Sequence, residues 1–285
     1  MTPGPGSLAQ AVAEVARLAG HAAVRHFRGR VAVETKADGS PVTVADREAE
    51  RVAREWIEAR FPADGILGEE FGAVRADARR RWLLDPVDGT ASFIRGVPLW
   101  GTLVAVAEGD AVLAGAAYFP PVDELVVAGL GEGCWWNGAR CSVSSVSSLT
   151  DATVLTTGLK FPEHPDRGDG WRRLASRAHR SRTWGDCFGY FLVATGRAEA
   201  MMDARLSPWD SAVLLPIIEE AGGVFTDWDG TRTPFGGSAV ATNAALAAEV
   251  RAVLLESGES GVGSRTVTHS HPPAFGGHPP TPDSR

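Results

Sequence analysis

Apolar residues in the first half of the chain recur first at helical spacing and then at strand spacing. Their recurrence between Leu8 and Phe27 predicts an amphipathic helix, and a second apolar stripe predicts a helix that Asp46 caps. The polar stretch 36–44 between them is predicted to be a loop. Short apolar runs separated by turn residues predict strands at 82–85, 99–107, 112–119 and 124–128. The first half is therefore interpreted as helices packed on an antiparallel sheet.

The second half of the chain alternates strand-like and helix-like segments, which favours an α/β layer. The predicted strands are 153–157, 198–202, 224–226 and 240–242, and the predicted helices are 171–178, 188–195, 212–221 and 244–255. We therefore divide the chain into an N-terminal part, 1–140, and a C-terminal α/β subdomain, 141–256. Residues 257–285 are rich in Gly, Ser, Pro and His, and this composition predicts a disordered tail.

Composition and charge narrow the class of protein. Hydrophobic residues make up 44% of the 285 residues and charged residues 22%, as is usual for soluble globular proteins. The formal net charge of −7 disfavours binding to nucleic acid and to an anionic membrane. We find no secretion signal and no apolar run long enough to span a membrane. The three cysteines show no C-x-x-C spacing, which fits a reducing compartment, so the expected location is the cytoplasm.

The segment from Asp85 to Thr90 contains the most informative chemistry. Asp85 is predicted to end a buried strand, Pro86 to stop that strand, and the resulting turn to bring Asp85 and Asp88 together. Gly89 allows the backbone to approach a ligand, and Thr90 can begin a helix whose free N–H groups face a phosphate. The segment therefore predicts a site for a hard cation beside an anion.

Further acids follow other apolar runs. Glu69 and Glu70 come after a short buried run, and Asp210 opens an apolar helix. Taken singly, Asp85-Pro86-Val87-Asp88 could be only a capped turn, Glu69-Glu70 a solvated pair and Asp210 a helix cap. Together they offer the oxygen ligands that Mg²⁺ prefers, in the number that two ions need.

Three motifs in this order resemble the inositol monophosphatase-like family. They are Gly68-Glu69-Glu70, the stretch 82–93 (Trp-Leu-Leu-Asp-Pro-Val-Asp-Gly-Thr-Ala-Ser-Phe), and Trp209-Asp210-Ser211-Ala212 with Glu220-Ala221-Gly222-Gly223. The resemblance covers residues 8–255 and implies a layered α/β/α/β/α sandwich of the inositol monophosphatase and fructose-1,6-bisphosphatase type. It also implies a homodimer and two or three Mg²⁺ ions.

The resemblance implies a role for each matching residue. The implied metal ligands are the carboxylates of Glu69, Asp85, Asp88 and Asp210 and the carbonyl of Val87, with Asp46 near a possible third metal. Gly89 and Thr90 match the phosphate-binding turn. Glu69, paired with Thr90, is expected to orient the attacking water and take its proton. The implied reaction is hydrolysis of a small phosphate ester.

Segments outside the metal motif bear on the choice of substrate. The stretches 95–102, 185–190 and 194–199 resemble the histidinol-phosphatase branch, which implies hydrolysis of histidinol phosphate in histidine biosynthesis. Asp186 and Asp203, together with Asp88 and Asp210, are expected on the substrate side, where acids suit an ammonium and an imidazole. A helix cap is the alternative for Asp186.

Other functions stay open. Carboxylates also bind sugar hydroxyls, so an inositol-1-monophosphatase or a broad sugar phosphatase is a second possibility. A regulatory binding protein that retains the fold is a third possibility, and the intact set of acids disfavours it.

Overall fold

The computed structural model describes residues 7–37 and 39–256. Two helices, α1 (Leu8–Val24) and α2 (Val44–Arg60), flank a short hairpin of β1 (Val33–Thr35) and β2 (Pro41–Thr43). Part of the predicted 36–44 loop is thus a strand. The prediction that Asp46 caps α2 was wrong, because Thr43 is the N-cap. Asp46 lies in the first turn and accepts the backbone N–H and the hydroxyl of Thr43, which completes a capping box.

The first large sheet lies in the N-terminal part of the chain. Its strands in chain order are β3 (Gly65–Gly68), β4 (Gly72–Val74), β5 (Arg80–Asp88), β6 (Gly101–Glu108), β7 (Ala111–Phe119), β8 (Glu124–Gly129), β9 (Gly133–Trp136) and β10 (Ala139–Arg140). Their spatial order is β10-β9-β8-β7-β6-β5-β3-β4, and only β3 and β5 pair in parallel among these described strands. The predicted antiparallel sheet is therefore mixed at the edge where β3 joins β5.

Pro86 does not end β5, contrary to the sequence-based prediction. The strand continues to Asp88, and its pairing with β6 shifts register between Asp85 and Asp88. A proline, which cannot donate to the ladder, is tolerated at such a bulge. The Pro86 carbonyl accepts the Thr102 hydroxyl at 2.8 Å, so this buried acceptor is satisfied. The bulge keeps both acids at the end of one strand, and the short helix α3 (Thr90–Phe93) follows directly.

The second sheet alternates with helices, as predicted. Its strands are β11 (Thr153–Thr156), β12 (Arg180–Arg182), β13 (Ala200–Asp203), β14 (Gly223–Thr226) and β15 (Ala239–Asn243), in the order β12-β11-β13-β15-β14. The helices are α4 (Pro165–Arg177), α5 (Asp186–Ala194), α6 (Pro208–Glu220) and α7 (Ala247–Leu255). Only β12 lacks a predicted counterpart, because it is short, polar and arginine-rich.

The elements form five layers. Helices α1 and α2 cover one face of the first sheet through a buried cluster that includes Val15, Ile57 and Val104. Helices α5 and α6 lie between the two sheets, where Phe191 and Ile217 belong to a cluster that contains residues of both sheets. Helices α4 and α7 pack on the far face of the second sheet. This is the α/β/α/β/α order that the family resemblance implied.

Three sequence-based expectations concern the C-terminal tail, the cysteines and membrane-spanning helices. The predicted disordered tail, 257–285, lies outside the described residues. The three cysteines, Cys134, Cys141 and Cys187, are free. Within the described ranges, no helix combines the length and the apolar character needed to span a membrane.

Candidate active site

Three acids from distant parts of the chain meet at the end of β5. Asp85 and Asp88 come from that strand, and Asp210 comes from the first turn of α6. Each offers a carboxylate oxygen, and the three oxygens lie within 4.8 Å of one another. One oxygen of Asp85 accepts the Val87 backbone N–H at 2.9 Å, which orients that carboxylate within the bulge. The site is thus built jointly by the first sheet and by the helix layer between the sheets.

Asp210 is fixed by a capping box rather than acting as the helix cap. Ser207 is the N-cap of α6, and its backbone N–H donates to Asp210 Oδ2 at 3.1 Å. The other oxygen, Oδ1, is buried and accepts no hydrogen bond from the described residues. An unpaired buried carboxylate oxygen is costly unless a cation accompanies it, so this atom fits a metal site.

The electrostatics of the three acids lead to the same conclusion. Burial raises the pKa of Asp85, and the negative charges of Glu69, Asp210 and Asp88 raise it further. Burial and then the charge of Asp88 raise the pKa of Asp210. The pKa of Asp88 is also raised, first by burial, although hydrogen bonding from Cys187 opposes the shift. Repelling buried acids need protons or a cation, and an all-oxygen donor set suits a hard ion such as Mg²⁺.

Glu69 stands next to this group of three oxygens rather than within it. It lies at the tip of the hairpin between β3 and β4, and its backbone N–H donates to the Leu84 carbonyl of β5 at 3.1 Å. Its negative charge raises the pKa values of Asp85, Asp88 and Asp210, so its carboxylate lies close enough to act on the cluster. The structure therefore places Glu69 beside the acids with which the sequence grouped it.

Lys36 is a residue of the site that the sequence did not predict. Its ammonium lies 2.7 Å from Glu69 Oε1 and 2.6 Å from Glu70 Oε1, between the two acids of the hairpin tip. Burial raises the pKa of Glu70 to about 7, although Lys36 opposes this shift. Lys36 follows β1 in a polar stretch with no apolar pattern, so no sequence signal connected it with Glu69.

The turn after β5 differs in one contact from the expected arrangement. The Thr90 hydroxyl donates to the Val87 carbonyl at 3.0 Å and lies 3.4 Å from Asp46 Oδ1, whereas Glu69 pairs with Lys36. The expected Glu69–Thr90 pair is therefore replaced by a link between Thr90 and the start of α2. Asp46 is buried, and burial raises its pKa despite the hydrogen bonds from Thr43.

Position 89 requires glycine for two reasons: its backbone conformation and the lack of space for a side chain. Its φ is +85°, in the left-handed region, and it is the N-cap of α3. A Cβ at this position would lie 2.9 Å from the Leu99 carbonyl oxygen and 3.2 Å from Asp186 Oδ2. The backbone of the predicted phosphate-binding turn therefore passes closely beneath Asp186.

The start of α5 places Asp186 beside the acid cluster. Asp186 is the first residue of the helix, has a φ of +50°, and donates its backbone N–H to the Thr157 hydroxyl at 2.8 Å. Gly185, not Asp186, is the N-cap, so the helix-cap alternative was wrong. Burial, followed by the charges of Asp88 and Asp203, raises the pKa of Asp186 to about 8. Among the described residues, no group donates a hydrogen bond to its carboxylate, which leaves both oxygens for a ligand.

Asp203 is buried behind Asp186, and both of its oxygens have partners. Oδ1 accepts the Thr157 backbone N–H at 3.2 Å, and Oδ2 accepts the Tyr190 hydroxyl at 3.0 Å. Burial raises its pKa to about 6, opposed by these hydrogen bonds. These contacts connect Asp203 with the residues that support the start of α5. Direct contact of Asp203 with substrate stays a prediction.

Comparison with known proteins identifies the family of the chain. The inositol monophosphatase family model matches residues 6–259. The histidinol-phosphatase of Chlorobaculum parvum is 40% identical over 247 residues, which are 86% of this chain and 95% of that protein. The histidinol-phosphatase of Mycobacterium tuberculosis is 39% identical over 223 residues, covering 76% and 86%.

Solved structures share the fold. The extragenic suppressor protein suhB from Bartonella henselae superposes with a TM-score of 0.83 at 28% identity, covering 88% of this chain and 99% of that one. An IMPase of Thermotoga maritima gives a TM-score of 0.78 at 31% identity, covering 87% and 96%. The chain therefore belongs to the inositol monophosphatase family, whose members are metal-dependent, and it is a phosphoric monoester hydrolase.

Proposed function

We propose that this protein is a Mg²⁺-dependent phosphatase that hydrolyses histidinol phosphate to histidinol and phosphate. The observation that supports this most is the position of Asp186, a carboxylate without a donor among the described residues, beside the three metal-site acids. An acid there suits the cationic end of histidinol. The similarity to two histidinol-phosphatases at 39–40% identity supports the same substrate.

The proposed metal site uses the residues that converge at the end of β5. Asp85, Asp88 and Asp210 would hold two Mg²⁺ ions with Glu69 and the Val87 carbonyl. Asp46 would lie near a third ion. Bound there, Mg²⁺ would lower the pKa of a coordinated water and offset the charge of the phosphoryl group.

The chain's own residues then position and deprotonate the nucleophile. Glu69 is proposed to accept a proton from the attacking water, and the ammonium of Lys36, 2.7 Å from Glu69 Oε1, would hold its carboxylate in place. The water oxygen forms a bond to phosphorus as the ester P–O bond breaks, the leaving alkoxide takes a proton from solvent, and Glu69 returns the proton that it accepted to solvent. Gly89 and Thr90 are proposed to hold the phosphoryl oxygens. Water is the direct nucleophile, so no covalent phosphoenzyme is formed.

Asp186 and Asp203 are proposed to serve different parts of substrate recognition. Asp186 would accept charge-assisted hydrogen bonds from the ammonium or imidazolium of histidinol. Asp203 would support the start of α5 through Thr157 and Tyr190, in addition to the substrate contact predicted for it. Asp88 and Asp210 would face both the metals and the substrate.

Two further properties complete the proposal. We propose a homodimer, because the family resemblance implies one. We propose a cytoplasmic location, because Cys134, Cys141 and Cys187 are free, as expected in a reducing compartment.

A substrate panel tests the proposal. Purified protein with Mg²⁺ is expected to release phosphate from histidinol phosphate at least ~10-fold faster, in kcat/KM, than from inositol 1-phosphate, a difference of about 1.4 kcal/mol. Excess chelator should abolish the release. Equal or faster hydrolysis of inositol 1-phosphate or fructose 1,6-bisphosphate would support the sugar-phosphate alternative. That alternative has its own support, since the inositol-1-monophosphatase of Mesorhizobium japonicum is 33% identical over 255 residues. No Mg²⁺-dependent release from any ester would support the regulatory binding protein.

A further inference from the structure

The hairpin tip that carries Glu69 is held by a buried acid of α2. The carboxylate of Glu50 accepts the backbone N–H of Glu70 at 2.7 Å and that of Phe71 at 3.2 Å. Its side chain has no solvent exposure. The residues immediately after Glu69 are therefore bound to a helix of the outer layer, far from them in the sequence.

Arg54 extends this contact to the other end of the tip. Its guanidinium lies 2.7 Å from Glu50 Oε1 and also donates to the Gly72 carbonyl at 2.5 Å. Arg54, one helical turn from Glu50, thus neutralises the charge of the Glu50 carboxylate. The ion pair binds the backbone N–H groups of Glu70 and Phe71 and the carbonyl of Gly72. Together, Glu50 and Arg54 fix the backbone of the three residues 69–71 that join β3 to β4.

Gly68 shows how closely the carboxylate of Glu50 packs against this tip. A Cβ at position 68 would lie 2.0 Å from Glu50 Oε1 and 2.4 Å from Glu50 Cδ. The carboxylate therefore occupies the space that any side chain at position 68 would need. Because Gly68 directly precedes Glu69, displacement of Glu50 would move the backbone from which the Glu69 side chain projects.

A second support of Glu69 comes from β5 and does not involve Glu50. The backbone N–H of Glu69 donates to the Leu84 carbonyl at 3.1 Å, which holds the tip on the side facing Asp85. Glu50 holds the opposite side through the next two N–H groups. Loss of Glu50 would leave the hairpin paired with β5 but would free the tip to change its orientation toward the acid cluster.

We propose that Glu50, paired with Arg54, is a positioning residue that sets the location of Glu69 for metal binding. Among the described residues, no hydrogen bond joins Glu50 to Asp85, Asp88 or Asp210, and its hydrogen bonds to the tip go to the backbone. The inference rests on the proposed function in one respect, namely that Glu69 is a ligand of Mg²⁺. Groups that orient metal ligands commonly change metal affinity by about 10- to 100-fold when they are removed.

Two substitutions test this role. Glu50→Gln keeps the size of the side chain but has a single acceptor oxygen, so one of the two backbone N–H groups must face an amide NH₂ group. Gly68→Ala leaves Glu50 in the chain but forces its carboxylate out of place. Both variants are expected to raise the Kd for Mg²⁺, measured by isothermal titration calorimetry, at least ~10-fold. The Mg²⁺ concentration for half-maximal phosphate release should rise in parallel.

Asp64→Asn is the matched control. Asp64 is also a buried acid with an ion pair, to Arg80 at 2.7 Å, and it accepts the Trp82 indole N–H at 2.9 Å. It lies at the opposite end of β3 from the hairpin tip. Like the two test variants, Asp64→Asn is expected to lower the melting temperature. Its Kd for Mg²⁺ should stay within about 2-fold of the wild-type value, because Asp64 has no hydrogen bond to the hairpin tip.

Hydrogen exchange gives a readout that does not depend on metal or on activity. In the wild-type protein the amides of Glu70 and Phe71 should exchange slowly, and in Glu50→Gln at least ~10-fold faster. Fast exchange of these amides in the wild type would overturn the proposal even if neither variant folds. Wild-type Mg²⁺ affinity in both variants, or an equal loss in Asp64→Asn, would also overturn it. If wild-type protein does not bind Mg²⁺, the proposed function fails, while the exchange result still tests the anchoring by Glu50.

Discussion

Asp88 accepts the backbone N–H of Cys187 at 2.5 Å, and this hydrogen bond joins the end of β5 to the first turn of α5. The bond connects residues 99 positions apart in the chain. One carboxylate therefore belongs to the acid cluster and also fixes the helix that begins with Asp186. The Asp88 side chain therefore links the proposed metal site to the start of α5, where the proposed substrate acid lies.

Removal of the charge of Asp88 is expected to lower phosphatase activity about 100-fold without unfolding the protein. Asp88→Asn keeps an oxygen that can accept the Cys187 N–H, but it removes one anionic ligand of the proposed metal site. A loss of about 2.7 kcal/mol of transition-state stabilisation would lower kcat/KM about 100-fold. Steady-state kinetics with excess Mg²⁺ measures the loss, and circular dichroism measures folding.

Asp77→Asn is the control for this substitution, because Asp77 is an exposed acid. Its kcat/KM should equal the wild-type value within about 2-fold, as is usual for exposed positions. Retained turnover in folded Asp88→Asn would contradict the assignment of Asp88 as a metal ligand.

Asp186→Asn should weaken the binding of histidinol phosphate selectively. Asparagine tolerates the positive φ of this position, so the start of α5 should persist. Loss of one charge-assisted hydrogen bond costs about 1.5–3 kcal/mol, so KM for histidinol phosphate should rise about 10-fold or more. KM for inositol 1-phosphate, which has no cationic group, should change less than about 3-fold. An equal rise for both esters would show that Asp186 does not recognise the cationic end of the substrate.

The stability of the metal-free protein should fall as pH rises from about 4 to about 8. The folded-state pKa of Asp203 is about 6 and that of Asp186 about 8, both above the usual value of 3.8. In this range the folded protein retains protons that the unfolded chain has lost. The contribution of these two acids to the free energy of unfolding is therefore largest below their unfolded-state pKa of 3.8. This contribution is lost as pH rises through their folded-state pKa values of about 6 and about 8.

Thermal unfolding with chelator at pH 5 and at pH 8 measures this effect. The melting temperature should be lower at pH 8 by at least about 2 °C, the shift that roughly 1 kcal/mol produces in a domain of this size. Added Mg²⁺ should stabilise the protein more at pH 8 than at pH 5, because the cation competes with protons for the carboxylates of Asp85, Asp88 and Asp210, whose pKa values are also raised. A metal-free melting temperature that rises from pH 5 to pH 8 would show that these acids are ionised in the folded state.

Gly89→Ala should reduce both stability and activity, and Gly109→Ala separates the two causes. Both glycines have positive φ, but a Cβ at Gly89 would lie 2.9 Å from the Leu99 carbonyl oxygen, while one at Gly109 would meet nothing within 4 Å. In Gly109→Ala, backbone strain alone should lower the free energy of unfolding by about 1–2 kcal/mol and leave kcat/KM normal. In Gly89→Ala, the free energy of unfolding should fall by more than this, and kcat/KM should fall at least about 10-fold. Urea unfolding and phosphate release check both values, and normal activity in Gly89→Ala would contradict the role of the turn in phosphate binding.

The sequence predicted those parts of the site that lie in continuous motifs. Asp85, Asp88 and Asp210 each follow or open a buried segment, and these local patterns were enough to group them. Lys36 and Glu50 were missed because their partners at the hairpin tip are distant in the chain and their own surroundings are polar. Such pairings depend on the packing of α2 and of the β1–β2 hairpin against the first sheet, which periodicity does not specify.

Element types were predicted better than element ends. The end of β5 was misplaced because the rule that proline stops a strand does not hold at a bulge, where its missing N–H breaks no ladder bond. The cap of α2 was misplaced because Thr43 and Asp46 both favour helix starts, and only the direction of their hydrogen bonds distinguishes N-cap from first turn. Both Asp203 oxygens accept hydrogen bonds, one from Thr157 and one from Tyr190. The sequence around Asp203 contains no pattern that predicts these two partners.

The close packing of Glu50 against Gly68 also has a consequence for how this protein can diverge. No side chain fits at position 68 while the carboxylate is in place, and a shorter residue at position 50 would leave a gap beside the glycine. A lineage that replaces one residue must therefore pass through a less fit intermediate unless the other changes with it. We expect the two positions to be inherited together, so that descendants retain both residues or have lost both.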